Sequence, residues 1–147
     1  MQTIKLIYAN YDKESGVSTA LIETDLGRFT ATSKLREEDR EVESSYCGCR
    51  YAELKAVRKY LQALLRVKKA EFKCLHELYI GFCLSDKTDS GSREFVLLER
   101  AVDKKRKEIC ETKEGIKKIG KNISLAVAER DKIHKRIQES RAKEIKE

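Results

Sequence analysis

The chain has 147 residues, of which 39% are charged and only 7% aromatic, with neither Pro nor Trp. Such a composition suits long solvated helices better than a round globular core, and the lack of Pro removes the strongest helix breaker. A net charge of +7 argues against an acidic mimic of DNA and admits anionic partners: nucleic acid, anionic lipid or an acidic protein.

Residues 3–33 read as a three-stranded antiparallel meander. Strand one, Thr3 to Tyr11, sets Ile4, Leu6 and Tyr8 against Ile7, Ala9 and Tyr11, so both of its faces carry apolar groups. Asp12-Lys13-Glu14-Ser15-Gly16 is a turn signal. Strand two, Val17 to Thr24, sets Ala20 and Ile22 against Val17, Thr19 and Leu21. Asp25-Leu26-Gly27 fits a tight hairpin with Gly27 in the left-handed region. Strand three, Arg28 to Ser33, turns Phe29 and Ala31 inward. Three short strands do not stand alone, so the meander must lean on a helix.

Residues 34–45, KLREEDREVESS, form a charged connector that fits a short helix or a disordered loop equally. Residues 46–84 then read as one long amphipathic helix, with Ser44 or Ser45 placed to cap it. Leu54, Val57, Leu61, Leu64, Leu65, Phe72, Leu75, Leu78, Tyr79 and Phe82 fall on one broad face at about 100° per residue. Lys55, Arg58, Lys59, Arg66, Lys69 and Lys73 form a basic stripe on the opposite face. Gly48, just inside the helix start, would allow a strand to approach closely.

Residues 85–92 form a polar turn ending in the capping residue Ser92, and the second helix spans 93–146. Val102, Ile109, Ile116, Ile123 and Ile137 recur at heptad spacing, interrupted by Arg130. Leu98, Ile119, Ala126 and Ile133 hold the companion positions, with Lys105 and Thr112 as weak members. Gly115 and Gly120 each cost about 1 kcal/mol inside a helix, yet the heptad phase runs through them. One helix, bent or weakened near Gly120, is therefore expected rather than two. At ~1.5 Å per residue the helices measure roughly 57 and 80 Å. Folded about residue 88, they bring Cys47 opposite residue 130 and leave the last sixteen or so residues beside the meander. Ile133, Ile137 and Ile145 are expected to pack there or on a second copy.

The expected fold is therefore α+β, a meander followed by a long antiparallel, coiled-coil-like helical hairpin, in a single elongated domain over 1–147. Leu65, Phe72 and Tyr79 would be half exposed in a monomer, which favours a dimer. The candidate oligomer seam is Leu64, Leu65, Phe72, Tyr79, Ile109, Ile116 and Ile123.

No catalytic or cofactor motif survives inspection. Cys47 and Cys49 could chelate, but Cys74 and His76 stand about 200° apart on a helix and cannot both face one ion. Asp86 to Leu97 imitates a calcium loop and lacks its twelfth-position Glu. The run Glu37-Glu38-Asp39 aims its carboxylates in different directions. Neither His76 nor His134 has a nucleophile partner, and each reads as a helix-surface or seam residue. Phosphate loops, HExxH and GxSxG are missing. The chain is therefore read as no enzyme, with no cofactor and no metal.

Five Cys at irregular spacing fit free thiols. The segment MQTIKLIYAN lacks the pattern of a signal peptide, and no apolar run reaches the ~20 residues of a membrane span. A reduced, cytoplasmic protein is expected. Two functions remain. The first is a protein–protein interaction module, a small oligomeric accessory or inhibitor protein that docks on a larger complex, of the kind phages and mobile elements use in counter-defence. The second is a sequence-nonspecific nucleic-acid binder that lays the basic stripe along phosphates, with Lys104-Lys105-Arg106-Lys107 adding diffuse charge.

Overall fold

The computed structural model describes residues 4–34, 45–84 and 93–146, with side chains from 48 in the first helix and up to 145 in the second. The connector with Glu37-Glu38-Asp39, both helix caps (Ser44 or Ser45, and Ser92) and the calcium-like turn from Asp86 fall outside those residues or, for Ser45, outside the described side chains. Strands β1 (Ile4–Asp12), β2 (Val17–Thr24) and β3 (Gly27–Lys34) precede helices α1 (Ser45–Leu84) and α2 (Arg93–Lys146). The strands lie in the order β1-β2-β3, antiparallel throughout. The architecture is the α+β meander and helical hairpin that the sequence predicts.

Both turns of the meander close through short polar side chains and a glycine. Asp12 accepts hydrogen bonds from the Glu14 amide at 3.0 Å and the Ser15 hydroxyl at 2.9 Å. Gly16, at φ 70°, donates its amide to the Asp12 carbonyl. Gly27, at φ 112°, closes the second turn, where Thr24 Oγ1 accepts from the Leu26 amide and donates to the Gly27 carbonyl.

The register departs from simple alternation in β1. Leu6 pairs with Ile22 but Tyr8 pairs with Leu21, so Ile7 is an extra, bulged residue. Cross-strand partners share a face, and the bulge moves Tyr8 away from Ile4 and Leu6. Ile4, Leu6, Ala9 and Tyr11 now share the face of Ile22, Ala20 and Ser18, while Tyr8 joins Leu21 on the other.

The chain divides into two compact units, and the division cuts both helices. Met1–Tyr60 with Lys118–Glu147 form the first, Leu61–Lys117 the second. In the first unit α1 lies on β2 and β3. Its contact row is Gly48, Ala52, Ala56 and Tyr60, spaced four apart; the last three are fully buried. A Cβ on Gly48 would collide with the Ser18 hydroxyl, so the glycine sets how closely helix and strand approach. Opposite the row stand Ser18, Ala20, Ile22 and Ala31, all at most 2% exposed. Small residues on both sides bring the two backbones together and leave the bulk to Tyr60, edge-on to Phe29 at 5.7 Å between centroids.

The second unit is an antiparallel helix pair. Leu61 meets Gly115, Lys68 meets Glu108 and Glu71 meets Lys105, three pairs each centred on position 88. α2 is helical without a break across Gly115 and Gly120. Val102, Thr112 and Ile123 are buried, and the intervening heptad residues are half-buried. Residues 138–145 are exposed all round. Ile145, at 86% exposure, does not pack on the meander, because the buried stripe of α2 ends near His134 and Ile137.

Candidate interaction surfaces

The basic stripe divides between two roles. Lys59 Nζ donates to the Thr30 carbonyl at 2.9 Å, and Lys55 Nζ to the Thr32 carbonyl at 3.0 Å. The geometry follows from the two repeats: four helix residues rise about 6 Å and two strand residues about 6.6 Å. Both lysines thus sit on the outer edge of β3, with Lys55 also over the Tyr51 ring at 5.1 Å. Arg58 is half-buried in the same unit. Arg66, Lys69 and Lys73 belong to the second unit, are exposed, and have no ion-pair partner among the described residues.

The seam residues are half-buried or better. Leu64 and Ile123 are buried; Leu65, Phe72, Tyr79, Ile109 and Ile116 are half-buried. Within the second unit Phe72 stacks on His76 at 5.4 Å and lies under the Arg106 guanidinium at 5.5 Å. Tyr79 meets Phe95 at 5.5 Å. Much of this apolar surface is therefore used inside the chain.

Charge fills the weak heptad positions. Lys105 bridges Glu71 at 2.5 Å and Glu108 at 3.0 Å, and Glu108 also accepts Lys68 at 3.1 Å. The Lys105 and Lys68 bonds hold the Glu108 carboxyl below its ordinary value, and the Glu71 and Glu108 bonds hold the Lys105 ammonium above its own. Thr112 satisfies its buried hydroxyl on the Glu108 carbonyl at 2.8 Å. Arg130, which breaks the heptad, buries its Nε without a partner, and so does His134 its Nε2.

Other candidates stay apart. Cys49 is half-buried, and its thiol is pushed up by burial, partly offset by a bond with Ser18. Cys74, Cys83 and Cys110 are exposed. Among the described residues no three His, Cys, Asp or Glu side chains converge as metal ligands. A shallow cleft of about 480 Å³ lies over Gly120, Lys121, Ser124 and Leu125. No described helix is long and apolar enough to cross a membrane.

One surface was not singled out as a site by sequence reasoning. Residues 4–10 of β1 are exposed without interruption. Ile4, Leu6, Ile7 and Tyr8 expose 42, 43, 39 and 48%. Among the described residues nothing beyond β2 bonds to this stretch, which forms an outer edge of the sheet. The signal was in the sequence, as apolar residues on both faces of the first strand; its consequence depended on β1 taking an edge.

No family model matches the chain, and no curated protein or solved structure matches it.

Proposed function

We propose that this chain is a non-enzymatic protein–protein interaction module: a small oligomeric accessory or inhibitor protein that docks on a larger complex. The observation that carries the reading is the run Ile4, Leu6, Ile7 and Tyr8, exposed on an edge strand that no described element besides β2 pairs with. A folded chain that leaves a long apolar edge strand in water risks indiscriminate pairing, so such a strand marks a docking site. The absence of a nucleophile–base pair or phosphate loop in the sequence supports a binding role over a catalytic one.

A second reading, sequence-nonspecific nucleic-acid binding, is favoured by the exposed Arg66, Lys69 and Lys73, which have no ion-pair partner among the described residues. Its aromatic partners are few: Phe72 and Tyr79 already stack inside the chain. One experiment separates the two. The tagged chain is recovered from its native cells, before and after nuclease and a high-salt wash, as wild type and as Arg58→Glu/Arg66→Glu/Lys69→Glu. A protein complex of fixed stoichiometry, retained by both, supports the interaction module. Nucleic acid alone, lost with salt and lost by the triple variant, overturns it in favour of the second reading.

A further inference from the structure

We propose that the occupant of the free β1 edge is a second copy of this chain, its own β1 laid antiparallel to the first. Two three-stranded meanders would then form one six-stranded sheet across a two-fold axis. The inference rests on the reading of the chain as an interaction module and names the partner of that site.

The two edges of the meander are treated differently. Along β3, Lys55 and Lys59 take the carbonyls of Thr32 and Thr30, so that edge is closed by charge from within the chain. Charged clamps of this kind keep an edge strand from pairing with other chains. Along residues 4–10 of β1 no such clamp exists among the described residues.

β1 carries apolar side chains on both of its faces. Edge strands with one solvated face alternate apolar and polar groups, whereas strands covered on both faces are apolar throughout. Ile4 and Leu6 project on the face of Ile22, and Tyr8 on the face of Leu21. The bulge adds local twist to this edge, and the bulged residue itself, Ile7, is apolar and 39% exposed. A neighbouring strand would set its own side chains beside these groups on each face.

The charges select a second copy as that neighbour. β1 carries one cation near its start, Lys5, and one anion at its end, Asp12. One antiparallel register of two identical strands sets Lys5 opposite the partner's Asp12, and by symmetry does so twice. Lys5 has no ion pair among the described residues. The Ser15 and Glu14 bonds hold the Asp12 carboxyl below its ordinary value, so it stays an anion at neutral pH. With Ile7 bulged out of the ladder, this pairing centres the contact on Ala9 and sets Tyr8 opposite the partner's Asn10 on the same face, within the exposed run. A two-fold contact of one patch with itself is also the commonest route to a homo-oligomer.

The test is sedimentation of the full chain over a range of concentrations, with hydrogen exchange of β1 measured across the same range. The expected result is a species of twice 17.0 kDa whose β1 amides gain protection as the dimer fills. Tyr8→Lys places two like charges on one face beside the centre and should weaken the dimer about tenfold or more, with the helical circular dichroism unchanged. If that variant fails to fold, the wild-type exchange pattern decides. A monomer at every concentration overturns the proposal. So does a dimer that ignores Tyr8→Lys and leaves the β1 amides unprotected, which would move the contact to another face. A monomer that still holds a larger protein complex removes only the second copy and leaves the interaction module standing.

Discussion

Gly48 and Ser18 show how one missing methyl sets the distance between a helix and a sheet. In an open helix, Ala in place of Gly would gain about 1 kcal/mol. At this position the added Cβ meets the Ser18 hydroxyl and lies 3.2 Å from Ser18 Cβ, on a residue that is 1% exposed. Gly48→Ala is therefore expected to destabilise the chain by about 1–3 kcal/mol in urea unfolding, the cost of overpacking. Adding Ser18→Ala should recover part of the loss, because the hydroxyl makes the closer contact. Tyr60 closes the same row. Its hydroxyl donates to Asp25 Oδ1 at 2.5 Å. Burial, and then the Asp25 bond, push its pKa far above the ordinary value of 10. A raised folded-state pKa means that the contribution is complete below pH 10 and is lost as pH rises through the raised value. Tyr60→Phe should cost about 1.5–3 kcal/mol, the range for a hydrogen bond to a charged group. Absorbance titration should show a late tyrosine ionisation in the wild type that Tyr60→Phe removes.

Helix α2 turns a mediocre heptad into a workable seam by placing charge where apolar residues are missing. Lys105 and Glu108 belong to one network with Lys68 and Glu71. Glu108 has a lowered pKa, so its stabilisation is complete above the ordinary 4.5 and disappears as pH falls through the lowered value. Lys105 has a raised pKa, so its part is complete below the ordinary 10.5 and disappears as pH rises through the raised one. Thermal unfolding of wild type and Glu108→Gln should differ by about 1 kcal/mol at neutral pH and converge in acid. A constant difference down to strong acid would show that the network contributes nothing. Gly120 offers the opposite case. It is helical, and nothing stands within 4 Å of where its Cβ would be. Gly120→Ala should raise stability by about 1 kcal/mol. The hairpin register was legible from the helix ends alone, because they fix the midpoint at 88. The row Gly48, Ala52, Ala56 and Tyr60 was not, since Gly and Ala carry little apolar signal on a helical wheel. Nor was the role of Lys55 and Lys59: a run of cations on a helix looks the same in water as on a strand edge. The bulge at Ile7 escaped because a strand apolar on both faces gives its register no preference.

Across the whole chain, charge is graded: residues 1–45 carry a net −3, residues 46–92 a net +4 and residues 93–147 a net +6. That gradient makes salt the variable that separates the candidate surfaces. Contacts of Arg66, Lys69 and Lys73 with phosphate would release counterions, and their affinity would fall steeply with salt. A β1–β1 contact buries Ile4, Leu6, Ile7 and Tyr8 and exchanges backbone hydrogen bonds, neither of which salt screens. Only its Lys5–Asp12 pairs are screened, and exposed pairs of that kind contribute about 0–1 kcal/mol. In about 1 M salt, where the screening length is about 3 Å, the sedimenting mass should stay doubled while any bound nucleic acid leaves. Dissociation to monomer on adding salt would mean that charge rather than the apolar strand holds the copies together. Nucleic acid that persists under the same conditions would require a contact beyond phosphate, and Arg58→Glu/Arg66→Glu/Lys69→Glu would then locate it on or off α1.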